Sequence, residues 1–144
     1  MTGYSGAPLT KKLGLTPGQK TAFLRLPADL EWLVQSEPFA WLVSIDSTGD
    51  LTPDAGFDLI HAFFTVAGEM RAALPALRAA IQPAGAIWIS WPKRASKVET
   101  DITEDVIRDA AIAAGLVDVK VCAVTEVWSG LKLVIPVALR GKKT

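Results

Sequence analysis

Eight consecutive residues carry the strongest chemical signal in the chain: Ser90-Trp91-Pro92-Lys93-Arg94-Ala95-Ser96-Lys97. Three cations fall within five positions, flanked by hydroxyls and an indole. Guanidinium and ammonium groups beside hydroxyl donors suit recognition of phosphate or carboxylate. Trp91, Lys93, Arg94, Ser96 and Lys97 are therefore the candidate ligand-binding residues. The competing reading is that these cations answer the protein's own acids or are simply solvated. Tyr4-Ser5-Gly6 and Lys11-Lys12, near the amino terminus, offer a lid over the same place.

Other reactive side chains are sparse. His61 lies in the apolar run Phe57–Phe64, where a buried neutral imidazole is favoured over a catalytic one. Asp46 follows an apolar segment and has the position of a ribose acceptor, although a plain loop carboxylate is the simpler reading. The Ser5 surroundings lack the glycine spacing and the preceding strand of a nucleophile elbow. Cys122 alternates with Val121 and Ala123 and reads as a small near-core residue. One Cys and one His supply no paired metal-ligand spacing, and no Walker loop is present. Of five tryptophans, Trp88 fits a core, whereas Trp91 and Trp128 lie at strand ends where they can wall a pocket.

Composition bounds these readings. A chain of 144 residues, half hydrophobic and 21% charged, is one domain's worth with a real core. The expected organisation is an arm over residues 1–18, an α/β domain over 19–139 and a tail over 140–144. The formal net charge is zero, and the Lys-Lys pairs Lys11-Lys12 and Lys142-Lys143 lack interleaved aromatics, so nucleic acid is an unlikely partner. That zero is unevenly composed. Residues 26–70 hold eight acids and no Lys or Arg, whereas residues 71–97 carry a charge of +5. Such a split allows pairing across a homodimer or with another charged protein. No apolar run reaches signal-peptide or membrane-spanning length, and a single cysteine fits a reducing compartment, so a cytoplasmic protein is expected.

The elements that must position these residues follow from periodicity. Strands are expected over 20–26, 41–45, 57–64 and 86–91, the last two nearly continuous apolar runs suited to burial on both faces. A short helical pattern spans 29–35. From Val66 to Ile81 the apolar spacing is helical, with Pro75 predicting a kink or two abutting pieces, and Gln82–Gly85 closing it. Residues 47–56 show no helix pattern, and 92–100 read as a basic loop. Thr103 caps a helix that ends at Gly115 and buries Val106, Ile107, Ala110 and Ala114. Residues 117–124 and 128–137 form an antiparallel hairpin. The result is a Rossmann-like α/β sandwich: a mainly parallel sheet, helices on both faces and a C-terminal hairpin at one edge. Ligands in such sheets lie beyond the carboxyl ends of the strands where strand order reverses, here between the first strand and 57–64. That mouth collects 26–28, 46–48, 65–67 and 91–97.

Four blocks resemble an uncharacterised bacterial domain-of-unknown-function family. They are the opening Gly3-Tyr4-Ser5-Gly6-Ala7-Pro8-Leu9-Thr10-Lys11-Lys12-Leu13-Gly14; Trp91 to Ser96 with Thr100 to Glu104; Gly115 to Cys122; and Trp128 to Lys132. The order of elements, with Phe57-Asp58-Leu59-Ile60 entering a strand, resembles a shortened class I methyltransferase. That resemblance is one of fold and does not imply the chemistry; S-adenosylmethionine is the alternative cofactor it brings. The turn that should hold it is Arg25-Leu26-Pro27-Ala28-Asp29, which has no glycine to admit the ligand. The expected function is accordingly a non-catalytic methyltransferase-like domain, without a cofactor, that binds a small anion or a protein partner. The alternative is an S-adenosylmethionine-dependent methyltransferase with a non-standard cofactor loop.

Overall fold

Alternating β-branched and aromatic runs separated by Pro- and Gly-bearing turns produce, among the described residues, six strands in one sheet. The computed structural model describes residues 8–140 of the 144. In chain order the strands are β1 (Lys20–Leu24), β2 (Trp41–Ile45), β3 (Phe57–Phe63), β4 (Ile81–Pro92), β5 (Val117–Ala123) and β6 (Trp128–Val134). Their spatial order is β2-β1-β3-β4-β6-β5. The first four pair in parallel, and β6 runs antiparallel to both β4 and β5. The chain moves outward from β1 to β2 and then returns to β3 on the other side of β1. The strand-order reversal therefore lies between β1 and β3, where the sequence placed it. The α/β fold class is as the periodicity indicated.

One face of the sheet is covered by α2 (Ala67–Ala80) and α3 (Glu104–Ala113). Their Met70, Leu74, Leu77, Ile107 and Ala111 bury against Ile60, Ile87, Leu131 and Leu133. Thr103 caps α3 as its residue type requires, its Oγ1 accepting from the Val106 N–H at 3.2 Å. Gly115 takes the left-handed φ of +81° that ends the helix. Only Ile107 and Ala111 of α3 are fully buried; Val106, Ala110 and Ala114 flank them half-buried, so the contact stripe is narrower than expected. The opposite face has lighter cover: the five-residue α1 (Leu9–Leu13) and a 3-10 segment over Ala28–Gln35. Leu13, Leu30 and Leu33 pack there on Phe23, Phe63 and Trp88. The Trp88 Nε1–H donates to the Leu13 carbonyl at 2.8 Å, tying α1 to the central strand.

Several boundaries differ from the pattern-based expectation. β1 ends at Leu24, not at residue 26, because Arg25 turns into the left-handed region. A single 3-10 turn, Thr48–Asp50, interrupts residues 47–56, and another, Arg94–Ser96, lies within the basic loop. α2 runs unbroken through Pro75, which is solvent-exposed, so the unpaired Arg71 carbonyl lies on the wet side of the helix. Residues 82–85 belong to β4 and do not close α2. Between the pairs Phe57–Ile81 and Leu59–Ala86, β4 spends five residues against two on β3, a large bulge. Gly85 permits that bulge, since a Cβ there would lie 2.8 Å from the Phe57 carbonyl oxygen. The hairpin strands are also shorter than expected, leaving Val137–Arg140 as one helical turn, α4.

Candidate functional site

Three clefts open at the carboxyl ends of the parallel strands, all within the mouth that the topology defines. One of them, about 400 Å³, lies at the end of β4. Trp91, buried in the wall, and Pro92 form its floor, while Arg94 and Lys97 stand beside it. Glu99, Thr100 and Glu104 complete the polar rim. The candidates Trp91, Arg94 and Lys97 thus come together. Lys93 and Ser96 do not join them. The Lys93 N–H donates to the Val127 carbonyl at 2.7 Å, and the Ser96 hydroxyl donates to the Lys93 carbonyl at 2.6 Å while accepting from the Val98 N–H. Ser96 therefore builds the turn that presents Arg94 and Lys97, and Lys97 closes it at a φ of +62°.

The loop carrying this cleft is pinned to the neighbouring strand end. Thr100 Oγ1 donates to the Thr65 carbonyl at 2.6 Å, and Asp101 Oδ1 accepts from the Ala67 N–H at 2.7 Å, capping α2. A shallower cleft lies across these ties, lined by Thr65, Val66 and Glu99–Asp101. Glu104 is shared with Arg108, whose guanidinium also donates to Asp105 at 2.7 Å and Asp118 at 3.2 Å; the hydrogen bonds to Glu104 and Asp118 hold Arg108 above its ordinary pKa. Glu99 has no ion-pair partner among the described residues. Two cations, an aromatic wall and one carboxylate without an ion pair among the described residues line this cleft. The acidic rim was not visible in the sequence, because Glu99 and Glu104 meet Arg94 only through the fold of the loop.

The third cleft lies between β1, β2 and α2, where the strand order reverses. Its volume is only about 200 Å³, and Arg25 crosses it. The Arg25 N–H extends the β1–β2 ladder to the Ile45 carbonyl at 2.8 Å. Its side chain then reaches the Asp46 carbonyl at 3.2 Å and the Glu69 carboxylate at 2.6 Å, with the guanidinium 5.6 Å above the Phe64 ring. The backbone at Arg25 has a φ of +59°, a glycine-like conformation occupied by a long cation. Pro27 follows, removing an N–H from the turn. With Arg25 in this place the cleft is smaller than the roughly 300–1,000 Å³ typical of small-molecule sites. Asp46 uses its backbone here, and its carboxylate stays exposed.

The remaining singled-out residues are structural in placement. His61 is fully buried and stacks on Phe63 at 4.3 Å, with Nε2 2.7 Å from Ser90 Oγ and Nδ1 without a partner. Burial lowers its pKa to about 3, so it is neutral at physiological pH. Burial also pushes the Cys122 thiol up, partly offset by the charges of Lys12, Lys120 and Lys93. Trp128 packs edge-on against Phe63 at 5.2 Å and lines none of the three clefts. Trp88 is a core residue. Tyr4, Ser5 and Gly6 lie outside the described residues. Among the described residues no group of His, Cys, Asp and Glu is placed to hold a metal, and no helix is long and apolar enough to cross a membrane.

Residues 60–137, more than half of the chain, match the family described as a protein of unknown function, DUF3052. The chain belongs to that family. The DUF3052 match contains three of the four blocks singled out in the sequence, including Trp91–Ser96 and the cleft rim; the opening block precedes it. No curated protein sequence matches the chain. Solved structures share the fold. A SAM-dependent methyltransferase from Aquifex aeolicus superposes with a TM-score of 0.66 at 19% identity, covering 87% of this chain and 86% of its own. The DhpI complex with SAH gives 0.64 at 12%, covering 89% and 82%. The [4+2]-cyclase SpnF gives 0.68 at 10%, covering 90% and 79%. This DUF3052 member therefore has the methyltransferase fold, and similarity at this level shows the fold alone. A cyclase among the neighbours illustrates that the fold does not fix the reaction.

Proposed function

We propose that this protein is a non-catalytic methyltransferase-fold domain that binds a small anionic ligand in the cleft walled by Trp91, Arg94 and Lys97. The observation that carries the reading is the division of the mouth into two unlike halves. At the β4 end an open cleft holds two cations and an indole. At the β1 end, where strand order reverses, Arg25 and its partners Asp46 and Glu69 take up the space; the structural neighbours include complexes with SAM and SAH. Arg94 supplies a planar fork for a carboxylate or phosphate, and Lys97 a mobile second charge. Trp91 offers an apolar face to whatever carries that group, and Glu99 accepts from a donor on the same ligand.

Thermal-shift titration with inorganic phosphate and with short amino- and hydroxycarboxylates tests this directly. Saturable stabilisation is expected, worth about 2.7 kcal/mol at a hundredfold excess over Kd, and its loss in Arg94→Ala/Lys97→Ala. No saturable shift with any of these compounds, or an undiminished shift in the double variant, overturns the anion site. One feature favours the second reading, an S-adenosylmethionine-dependent methyltransferase with a non-standard cofactor loop. The Arg25 and Glu69 side chains are 43% and 49% exposed, and an exposed pair of this kind is worth only about 0–1 kcal/mol. Withdrawal of Arg25 would leave a backbone turn already in a glycine-like conformation.

A further inference from the structure

The lightly covered face of the sheet carries an electrostatic arrangement that the ligand cleft does not use. Lys132 alternates with Leu131 and Leu133, which face α2 and α3, so its side chain leaves the opposite face. There it stands in register between Trp88 of β4 and Lys120 of β5. Two lysines directly opposite each other across a hairpin repel. Burial, and then Lys120, lower the Lys132 pKa. Lys93 and Lys12 add to the same patch, both close enough to act on Cys122 beneath it. Lys120 Nζ also reaches the Lys12 carbonyl at 3.4 Å. Four lysines from four separate parts of the chain thus converge, and none of Lys93, Lys120 and Lys132 has a carboxylate within ion-pair distance among the described residues.

On the same side of the sheet, at its far end, the 3-10 segment Ala28–Gln35 shows the reverse charge. Leu30 and Leu33 pack inward, leaving Asp29, Glu31 and Trp32 outward, with Trp32 51% exposed. Neither carboxylate has an ion-pair partner among the described residues. We infer that this face is the interface of a homodimer, in which Asp29, Glu31 and Trp32 of one copy dock on the Lys93–Lys120–Lys132 patch of the other. The arrangement is isologous: one two-fold axis pairs acid with base twice, as closed dimers require. A formal net charge of zero favours a second copy over a polyanion, for which a net basic domain is expected. The indole supplies the apolar anchor that such interfaces concentrate, and the acids relieve the cross-strand lysine repulsion.

Analytical ultracentrifugation of the full chain tests this, with circular dichroism confirming that each variant is folded. The wild type is expected to be dimeric at about 50 mM salt and to dissociate as salt rises to about 0.5 M, where screening shortens the reach of each charge. Lys120→Glu/Lys132→Glu and Asp29→Lys/Glu31→Lys are each expected to weaken the dimer at least about tenfold. An equimolar mixture of the two variants should recover a dimer. A wild type that stays monomeric at low salt, or a mixture that does not recover, overturns the inference. So does a monomer whose lysine patch retains heparin or an oligonucleotide.

Discussion

Acidification gives a clean test of how the sheet is built, because His61 is the single histidine of the chain. It is neutral and buried in the fold, with a pKa lowered from 6.5 to about 3, whereas the unfolded chain restores the ordinary value. Below pH 6.5 the unfolded state therefore binds a proton that the native state refuses. This contribution to stability is fully present above pH 6.5 and is lost as pH falls toward 3. Between pH 7 and pH 5 the loss amounts to about 2 kcal/mol, whatever the native value below about 4, since each pH unit below the unfolded pKa contributes about 1.4 kcal/mol. Urea unfolding should show the midpoint falling by about 1 M at a typical m-value. His61→Gln should flatten that slope, and in the wild type the lone imidazole ring should not titrate by NMR between pH 7.5 and 5. A wild-type stability independent of pH over this range, or a ring that protonates near 6.5 in the folded protein, refutes the buried, uncompensated placement of His61.

Two further substitutions test local features of the scaffold. Gly85→Ala should destabilise by about 1–3 kcal/mol, because its Cβ would meet three carbonyl oxygens at 2.8–3.1 Å; thermal unfolding reads this, and a neutral result would remove the bulge argument. Thr103→Ala should cost about 1 kcal/mol through loss of the cap on α3, measured by the same melt, because its hydroxyl accepts from the Val106 N–H; an unchanged melting temperature would remove the cap argument.

The parts of the fold that the sequence showed plainly are those set by local periodicity. Residues 57–63 and 86–91 alternate too little to be anything but covered strands, and with the helical spacing of Met70, Leu74 and Leu77 they fix a mainly parallel sheet. The position of the mouth follows from that order alone, which is why Trp91, Arg94 and Lys97 were legible as neighbours. What was hidden depends on distance through space or on backbone sign. Leu30 and Leu33, three apart, fit an α-helix and a 3-10 turn equally. Pro75 signals a break only where its missing N–H would be buried, and here it faces solvent. The early start of β4 rests on Gly85 passing close to the β3 backbone. Arg25 shows an absent glycine in the sequence, but not the glycine-like φ it adopts or the carboxylate it reaches across to find. Lys93 and Ser96, adjacent to the cleft residues in sequence, turn away because the 3-10 segment rotates successive side chains by about a third of a turn.

We propose that in this methyltransferase fold Arg25 takes up the adenosyl position and a ligand is held at the β4 end instead. Isothermal titration of the wild-type protein with S-adenosylmethionine and S-adenosylhomocysteine tests it most directly. No saturable heat is expected with either compound at concentrations up to about 1 mM, the weak end of the affinity scale. Saturable binding in the micromolar range would contradict it and make the glycine-free turn a working cofactor loop.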